Sequence, residues 1–285
     1  MRCNMKRNNP DQLSIFDIVL EHPKEPIAPP PAIEPVHDRK NQIHDGTICP
    51  YPVPTVDEII KLIDQSSYGV GKSKLISDVF ACGALAVSNL VDFTQYDERE
   101  EQYKKIMNGY KPKERELIVQ VFSKIFALLS SVTYDNGRFD DYLGYLFMRC
   151  NQGNKGAGQV FTPFHIAKLM AKIMITDELV QKKDIISVMD PCSGGGALPL
   201  AALDVLKNDY NVNYTRHCFM QAGDIDIRCV HMTYLQLALA GVPAIVCHQN
   251  TLKNERWSVW KTPAFIFQYH RFCKYDIRIP KENAA

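Results

Sequence analysis

An alternation of strand-like and helix-like segments between residues 185 and 247 constrains this chain more than any other feature. Short runs rich in apolar residues are followed by longer runs with helical spacing, and the pattern repeats. The predicted strands are Ile185–Met189, Cys218–Ala222 and Ala244–Cys247, and the predicted helices are 197–207 and 227–240. Strands that alternate with helices in this way are typical of a parallel, doubly wound α/β sheet.

The first predicted strand runs into Asp190 and then into a glycine-rich turn, Cys192-Ser193-Gly194-Gly195-Gly196, that opens a helix. Glycines allow the backbone to approach a ligand closely, and a helix N-terminus offers free N–H groups. In open α/β sheets ligands bind at the carboxyl ends of the strands, which is where this turn lies. The segment predicts a ligand site, although glycine-rich connections that bind nothing also occur.

The second predicted strand ends in Gly223-Asp224-Ile225-Asp226. A carboxylate at the tip of the strand that follows a glycine loop suits a ribose diol, because it can accept hydrogen bonds from two hydroxyl groups. Asp224 is the residue that we predict for this role. Asp226 is equally compatible with a helix N-cap, since the next predicted helix begins at residue 227.

Two other kinds of sequence precede the α/β part. Residues 1–54 contain 10 of the 17 prolines and predict an extended, largely disordered arm. Residues 55–152 carry apolar side chains three and four positions apart, as at Leu117, Val121 and Ile125, and predict a helical domain of four or five helices. Residues 153–285 form the third predicted unit, the α/β domain.

Composition excludes several classes of protein. Lys+Arg number 33 and Asp+Glu 32, so a strongly basic polyanion binder is excluded, whereas a local basic face is not. Nine cysteines without a CxxC pair argue against a disulfide scaffold or a zinc site and favour a reducing cytoplasm. No signal-peptide pattern opens the sequence and no run of 18 apolar residues occurs, so no membrane span is expected.

Four motifs in order resemble the adenine-specific (N-6) DNA methyltransferases. They are Gly158-Gln159-Val160-Phe161-Thr162-Pro163, Asp190 to Gly196, Gly223 to Asp226, and Gln249-Asn250-Thr251-Leu252. The similarity covers roughly residues 140–265 and is greatest to the modification subunits of type I restriction systems and their phage or mobile-element relatives. It implies an α/β fold with a Rossmann-like methyltransferase domain that is preceded by a helical domain and a disordered arm. We expect this domain to be abbreviated, because only 95 residues follow Asp190.

The resemblance also implies a cofactor, S-adenosylmethionine, and assigns residues to it. Phe161, Thr162 and Pro163 would hold its methionine end. The residues that would line the rest of the cofactor are Asp190, Gly194, Gly196, Asp224 at the ribose and Asn250 at the adenine. Asn250 stands where related enzymes often have Asp, and an amide can still contact adenine.

Enzymes of this family carry an Asn/Asp-Pro-Pro-Tyr/Phe tetrapeptide after the fourth strand, where it binds the target amino group and stacks on a flipped base. The corresponding residues here would be Thr262-Pro263-Ala264-Phe265, after a strand at Trp257–Trp260. Thr262, Pro263 and Phe265 are therefore the predicted catalytic residues, with a hydroxyl in place of the amide or carboxylate. The same segment is equally compatible with an ordinary loop.

Two functions follow from the resemblance. The first is a DNA adenine methyltransferase, which would transfer the methyl group to the exocyclic amino group of adenine by in-line displacement. The second is a catalytically silent S-adenosylmethionine-binding module that acts through partners, because the Asn/Asp of the tetrapeptide is missing. A methyltransferase for proteins or small molecules has no substrate signature in this sequence.

Three partners are expected: DNA, a specificity subunit and a bacterial sliding clamp. Seven Lys/Arg with interleaved aromatic residues between Lys253 and Lys281 suit contacts to phosphates and bases, or a solvated face over a core. The pentapeptide Gln12-Leu13-Ser14-Ile15-Phe16 resembles the motif that docks on the clamp. A short amphipathic segment that folds back on the protein explains it as well.

Overall fold

The computed structural model describes residues 49–66, 71–134, 137–151 and 160–275. Its N-terminal part is a layer of helices, as the spacing of apolar residues predicts. The helices are α1 (Val56–Ser66), α2 (Lys72–Asn89), α3 (Tyr96–Asn108), α4 (Pro112–Ser130) and α5 (Tyr142–Cys150), with 3-10 turns at Phe93–Gln95 and Ser131–Thr133. The predicted arm and the clamp-like pentapeptide lie outside the described residues.

Strands and helices alternate in the second part. The strands are β1 (Ile186–Asp190), β2 (Cys218–Asp224), β3 (Ala244–Asn250) and β4 (Glu255–Lys261). The helices are α6 (Phe164–Met174), α7 (Asp177–Lys182), α8 (Ala197–Asn208), α9 (Tyr214–His217), α10 (Ile227–Leu239), α11 (Pro263–Phe267) and α12 (Tyr269–Phe272). A 3-10 turn follows at Cys273–Tyr275. The three predicted strands and the two helices between them are present, with bounds that differ by a few residues.

The described strands form one sheet in the order β1-β2-β3-β4. The first three strands are parallel, with Asp190 opposite Ala222 and Asp224 opposite His248. The fourth strand runs antiparallel to β3 and places Trp260 opposite Val246. The carboxyl ends of β1, β2 and β3 therefore share one edge of the sheet, whereas β4 ends at the opposite edge. This is the predicted Rossmann-like arrangement in abbreviated form.

The helical layer and one face of the sheet bury a common core. Phe80 of α2, Phe122 of α4, Leu203 of α8 and Tyr234 of α10 are almost completely buried within it. The other face of the sheet is covered in part by a smaller apolar cluster, in which the ring centres of Phe219 and Phe272 lie 5.3 Å apart. Since both parts share one core, the domain boundary at residues 152 and 153 stays a prediction.

Helix α4 is both long and apolar. With the turn that follows, it covers Pro112–Thr133 and has the length and hydropathy of a membrane span. Its side chains Ile118, Val121 and Phe122 are buried among the other helices. Such burial is typical of a core helix in a globular domain.

A buried arginine joins the helical layer to strand β4. Arg99 on α3 donates to the backbone oxygen of Val259 at 2.9 Å and lies 4.1 Å from the centre of the Trp260 ring. Its charge is balanced by Asp92, whose carboxylate lies 3.7 Å away. Because β4 is held in this way, the β3–β4 hairpin has a fixed position relative to the helices.

Candidate cofactor site

The glycine-rich turn after β1 is fastened to the end of β2 by two hydrogen bonds. The Gly194 amide donates to Asp224 Oδ2 at 2.9 Å, and the Ser193 amide donates to the Gly223 carbonyl oxygen at 2.9 Å. Asp190, Gly194 and Asp224, which the sequence placed in one ligand site, therefore lie together at the carboxyl edge. A turn held by its own neighbouring strand is preorganised to receive a ligand.

The turn requires glycine at two positions. Gly194 has a φ of +55° and Gly196 a φ of +101°, both in the region that side chains disfavour. A Cβ on Gly194 would lie 3.1 Å from the Phe161 ring, and a Cβ on Gly196 would lie 3.1 Å from Thr233 Oγ1. The glycines therefore permit both the backbone conformation and the close approach of Phe161.

Asp190 has the electrostatic character of a ligand-binding carboxylate. One oxygen accepts from the Cys192 amide at 3.1 Å, whereas Oδ2 is buried and has no hydrogen-bond partner among the described residues. Burial raises the pKa of this carboxyl group, the Cys192 amide opposes the rise, and the negative charge of Asp224 adds to it. A buried acceptor without a partner is costly, so a donor or cation brought by a ligand would be stabilised there.

Asp224 is only partly buried and lies at the surface of the same edge. Its Oδ2 accepts from Gly194 and its Oδ1 accepts from the Asp226 amide at 2.9 Å. Each carboxylate oxygen has a second lone pair, so both remain able to accept hydroxyl groups. Asp226 itself accepts from the Arg228 amide at 2.9 Å, which confirms its interpretation as the N-cap of α10.

The residues just before α6 lie close to the glycine turn. Phe161 is half-buried, with its ring centre 5.8 Å from that of Phe147, whereas Thr162 and Pro163 are exposed. Helix α6 begins at Phe164 with Pro163 as N-cap, and no side chain caps it. Thr162 therefore does not cap this helix.

The β3–β4 hairpin lies beside the glycine turn at the carboxyl ends of the strands. Asn250 ends β3 and its Oδ1 accepts from the Lys253 amide at 3.1 Å, so this oxygen shapes the hairpin turn. Thr251, to which the sequence assigned no role, donates to the Pro191 carbonyl oxygen at 2.8 Å. The hairpin is thereby attached to the glycine turn, with Asn250 beside it.

A second layer of residues that the sequence did not indicate supports the turn from below. Gln236 Nε2 donates to the Gly195 carbonyl oxygen at 2.7 Å and to Asp141 Oδ1 at 2.9 Å. Its Oε1 accepts from the Leu143 amide at 3.2 Å. Burial raises the pKa of Asp141, and its hydrogen bonds from Gln236 and Gly144 oppose the rise. The start of α5 is thus tied to the glycine turn.

Comparison with known proteins agrees with this arrangement of residues. Residues 137–272, from just before α5 to the end of α12, match the family described as N-6 DNA methylase. This part of the chain is similar to the N-6 DNA methylase family. The match contains all the predicted site residues and also Asp141 and Gln236. The resemblance inferred from the four motifs is therefore confirmed at the level of the family.

Among solved structures, this chain is similar to the type I restriction-modification system methyltransferase subunit from Streptococcus thermophilus, with a TM-score of 0.37 and 19% sequence identity. The similarity covers 71% of this chain and 41% of that one, so this chain spans less than half of that subunit's length. None of the curated proteins compared matches the sequence.

The segment that was predicted to be catalytic lies away from the glycine turn. Thr262 is completely buried, where its hydroxyl donates to the Val242 carbonyl oxygen at 2.7 Å and accepts from the Ala244 amide at 2.9 Å. Ala244 begins β3, so Thr262 lies at the amino edge of the parallel strands. The antiparallel direction of β4 places it there, opposite the glycine turn.

The neighbours of Thr262 also have structural roles. The Phe265 ring is 1% exposed, and its centre lies 5.5 Å from that of Phe219 beneath the sheet. Pro263 is the first residue of α11, which Thr262 caps. In this structure Thr262, Pro263 and Phe265 close the end of a strand and begin a helix, and this geometry gives no support to their assignment as catalytic residues.

Proposed function

We propose that this N-6 DNA methylase domain binds S-adenosylmethionine at the carboxyl edge of β1 and β2 and serves the methylation of adenine in DNA. The observation that supports the proposal best is the joining of two carboxylates by one turn. Asp224 is bonded to the Gly194 amide, and the unpartnered oxygen of Asp190 lies at the other end of the same turn. One site therefore offers acceptors for hydroxyl groups and a negative charge for a cation.

The side chains at this edge fit the cofactor. Asp190 and the residues Phe161, Thr162 and Pro163 would receive its cationic methionine end, and the Gly194 and Gly196 backbone would lie against it. Asp224 would accept its ribose hydroxyl groups, and Asn250 would offer its amide N–H to the adenine. When bound, S-adenosylmethionine supplies an electrophilic methyl group. This chain's contribution is to fix the position of that group and to exclude water from it.

The substrate proposed is the adenine amino group in DNA. The family supports it, and the neighbouring structure is by its name a methyltransferase subunit of a restriction-modification system. The tip of the β3–β4 hairpin carries Lys253, Arg256 and the half-exposed Trp257 at the cofactor edge, where they would meet phosphates and bases. The proposal also includes a partner, a specificity subunit that would select the DNA sequence, and a cytoplasmic location.

The residue that orients the adenine amino group is proposed to be one other than Thr262. Its hydroxyl is bonded to Val242 and Ala244, and it lies at the amino edge of the strands. The sliding clamp has no support from the described residues and is not part of the proposed function.

Calorimetric titration of the full chain with S-adenosylmethionine tests binding, and transfer of a labelled methyl group to unmethylated DNA tests the reaction. We expect one site per chain, and we expect Asp224→Asn to weaken binding without unfolding the protein. Binding without transfer, with or without a specificity subunit, would favour the silent module. Failure of the folded protein to bind the cofactor would contradict the proposal.

A further inference from the structure

Two side chains of helix α10 bind successive carbonyl groups of the glycine turn. The Thr233 hydroxyl donates to the Gly194 carbonyl oxygen at 3.1 Å, and Gln236 Nε2 donates to the Gly195 carbonyl oxygen at 2.7 Å. Thr233 and Gln236 are three positions apart, so they lie on the same face of the helix. Both are buried, with 0% and 2% of their surface exposed. One face of α10 therefore contacts two consecutive peptide groups of the turn.

The carboxamide of Gln236 is itself held in one orientation by the start of α5. Its Oε1 accepts from the Leu143 amide at 3.2 Å, and its Nε2 donates to Asp141 Oδ1 at 2.9 Å. A backbone amide can only donate and a carboxylate can only accept, so exchange of the two ends of the carboxamide would break both contacts. The helical layer thus determines that Gln236 presents a donor to Gly195.

Three consecutive glycines do not fix the direction of their own peptide groups. Glycine adopts positive and negative φ with similar ease, so a peptide group between two glycines rotates at little cost. Gly194 and Gly196 have positive φ, whereas Gly195 is glycine for another reason: its Cβ would lie 2.7 Å from Asp141 Oδ2. Contacts from outside the turn must therefore select its orientation.

The two peptide groups of the turn differ in how they are held. The group between Gly195 and Gly196 is bonded at both its oxygen and its amide, whereas the group between Gly194 and Gly195 is bonded at its oxygen alone, to Thr233. Among the described residues nothing accepts from the Gly195 amide. In a trans peptide group the N–H points away from the C=O. Because the Gly194 oxygen faces α10, the free Gly195 amide points away from that helix.

We propose that Thr233 and Gln236 are positioning residues of the cofactor site, which hold the glycine turn so that the Gly195 amide donates to the bound cofactor. This rests on the proposed function, since the cofactor would supply the acceptor. Without these contacts the peptide group before Gly195 can rotate, and a carbonyl oxygen then takes the place of the donor. The folded protein would bind the cofactor less tightly although every residue of the turn is unchanged.

Two substitutions at residue 233 separate positioning from packing. Thr233→Val keeps the shape and loses the hydroxyl, whereas Thr233→Ser keeps the hydroxyl and loses a buried methyl group. We expect Thr233→Val and Gln236→Leu to weaken S-adenosylmethionine binding at least about tenfold, and Thr233→Ser less than about threefold. A residue that served packing alone would give the opposite order at position 233. Calorimetry on the folded proteins measures the affinities.

The matched control is Thr262→Val. It removes another completely buried threonine hydroxyl that donates to a backbone carbonyl oxygen, but at the opposite edge of the sheet. We expect this variant to be less stable than the unmodified chain and to bind the cofactor with the same affinity. A loss of stability in itself therefore does not imitate the effect expected of Thr233→Val.

Nuclear magnetic resonance of protein labelled with ¹³C,¹⁵N-glycine observes the turn without any ligand. Glycines are consecutive in this sequence only at residues 194–196, so a spectrum that selects amides after a labelled glycine carbonyl contains two signals, those of Gly195 and Gly196. We expect both signals to move or broaden in Thr233→Val and Gln236→Leu, and to change little in Thr233→Ser. In the unmodified chain the Gly195 signal should move when the cofactor binds.

The outcomes distinguish this proposal from the proposed function. If the unmodified chain binds the cofactor and Thr233→Val and Gln236→Leu bind it equally well, the positioning role is overturned. Unchanged ligand-free spectra of these two variants would overturn it too, because the turn would then hold itself. Failure of the unmodified chain to bind the cofactor would contradict the proposed function instead, and the ligand-free spectra would still decide whether α10 holds the turn.

Discussion

The Asp224 carboxylate accepts a hydrogen bond from the Gly194 amide at 2.9 Å and thereby joins the turn after β1 to the end of β2. Asp190 begins the same turn and keeps one oxygen without a partner among the described residues. The candidate cofactor site thus has a fixed backbone and a negative charge before any ligand arrives. The hydrogen bond between Gly194 and Asp224 is thus part of both the fold and the candidate site.

Replacement of Asp224 by Asn tests its role at the ribose. The amide has one acceptor oxygen in place of two and carries no charge, so we expect the affinity for S-adenosylmethionine to fall at least about tenfold. Calorimetry gives the affinity, and a urea titration shows whether the fold is kept. Asp97→Asn, at an exposed position in the first turn of α3, should leave both unchanged. Equal affinity of the Asp224 variant and the unmodified chain would remove this residue from the site.

Gly194→Ala tests the backbone of the turn. The positive φ and the contact of the new Cβ with Phe161 should lower the free energy of unfolding by about 1–3 kcal/mol and weaken cofactor binding. Gly71→Ala is the matched control, since its φ is −59° and nothing lies within 4 Å of its Cβ. We expect the control to change stability by less than about 0.5 kcal/mol. If the two variants are equally stable, the turn does not require glycine at residue 194.

Gln236→Leu tests the layer beneath the turn. It removes the donors to Gly195 and Asp141 and leaves a buried carboxylate with fewer hydrogen bonds, so we expect a loss of about 2–3 kcal/mol in the free energy of unfolding. Gln102→Leu, which removes an exposed hydrogen bond to Glu98, should cost less than about 0.5 kcal/mol. Urea titrations of the three proteins measure the difference. A similar small change in both variants would show that the Gln236 network is not structural.

His231 on α10 makes stability depend on pH. Burial lowers its pKa from the ordinary 6.5 to about 3, with the positive charges of His248 and Arg99 adding to the effect and Asp226 opposing it. As the pH falls below 6.5 the unfolded chain takes up the proton first, so the stability present above that pH is lost toward pH 3.

Between pH 7.5 and pH 5 this residue should cost about 2 kcal/mol of unfolding free energy. His231→Phe does not titrate and keeps a ring against Trp260, whose centre lies 5.0 Å from that of the imidazole. The variant should therefore lose about 2 kcal/mol less than the unmodified chain over the same range. Denaturant titrations at the two pH values measure it, and equal losses would mean that His231 titrates normally in the folded protein.

Thr262→Val separates a structural role from a catalytic one. The change leaves the Val242 carbonyl oxygen and the Ala244 amide without their hydroxyl partner in a buried place, so the free energy of unfolding should fall by about 1–3 kcal/mol. Cofactor affinity should stay the same, because Thr262 lies at the other edge of the sheet. A variant of normal stability that no longer binds cofactor would restore Thr262 to the site.

Local patterns in the sequence were sufficient for the parts of the fold that depend on neighbours in the chain. The alternation of strands and helices follows from periodicity, and Asp190, Gly194 and Asp224 follow from their places at the ends of predicted strands. The direction of β4 does not follow from periodicity. It follows from the length of the connection at residues 251–254, because a strand parallel to β3 would need a connection of about a dozen residues or more.

Other features depend on contacts that no local pattern contains. Gln236 and Asp141 are 95 positions apart, and neither stands out in the sequence, since one lies inside a helix and the other caps the start of one. Leu169 and Ile173 of α6 are large apolar residues that a local pattern would bury, but the helix buries Ala167 and Ala171 because small residues allow close approach to α8. An apolar helix face indicates that something covers it and not what covers it.

Hydrogen exchange of the full chain with and without S-adenosylmethionine tests the location of the cofactor site most directly. We predict that saturation with the cofactor slows exchange of the amides at 190–196 and 224–226. Those at 262–268 should not change, because they lie at the opposite edge of the sheet. Protection confined to 262–268, or no protection at any residue, would contradict the placement of the site between Asp190 and Asp224.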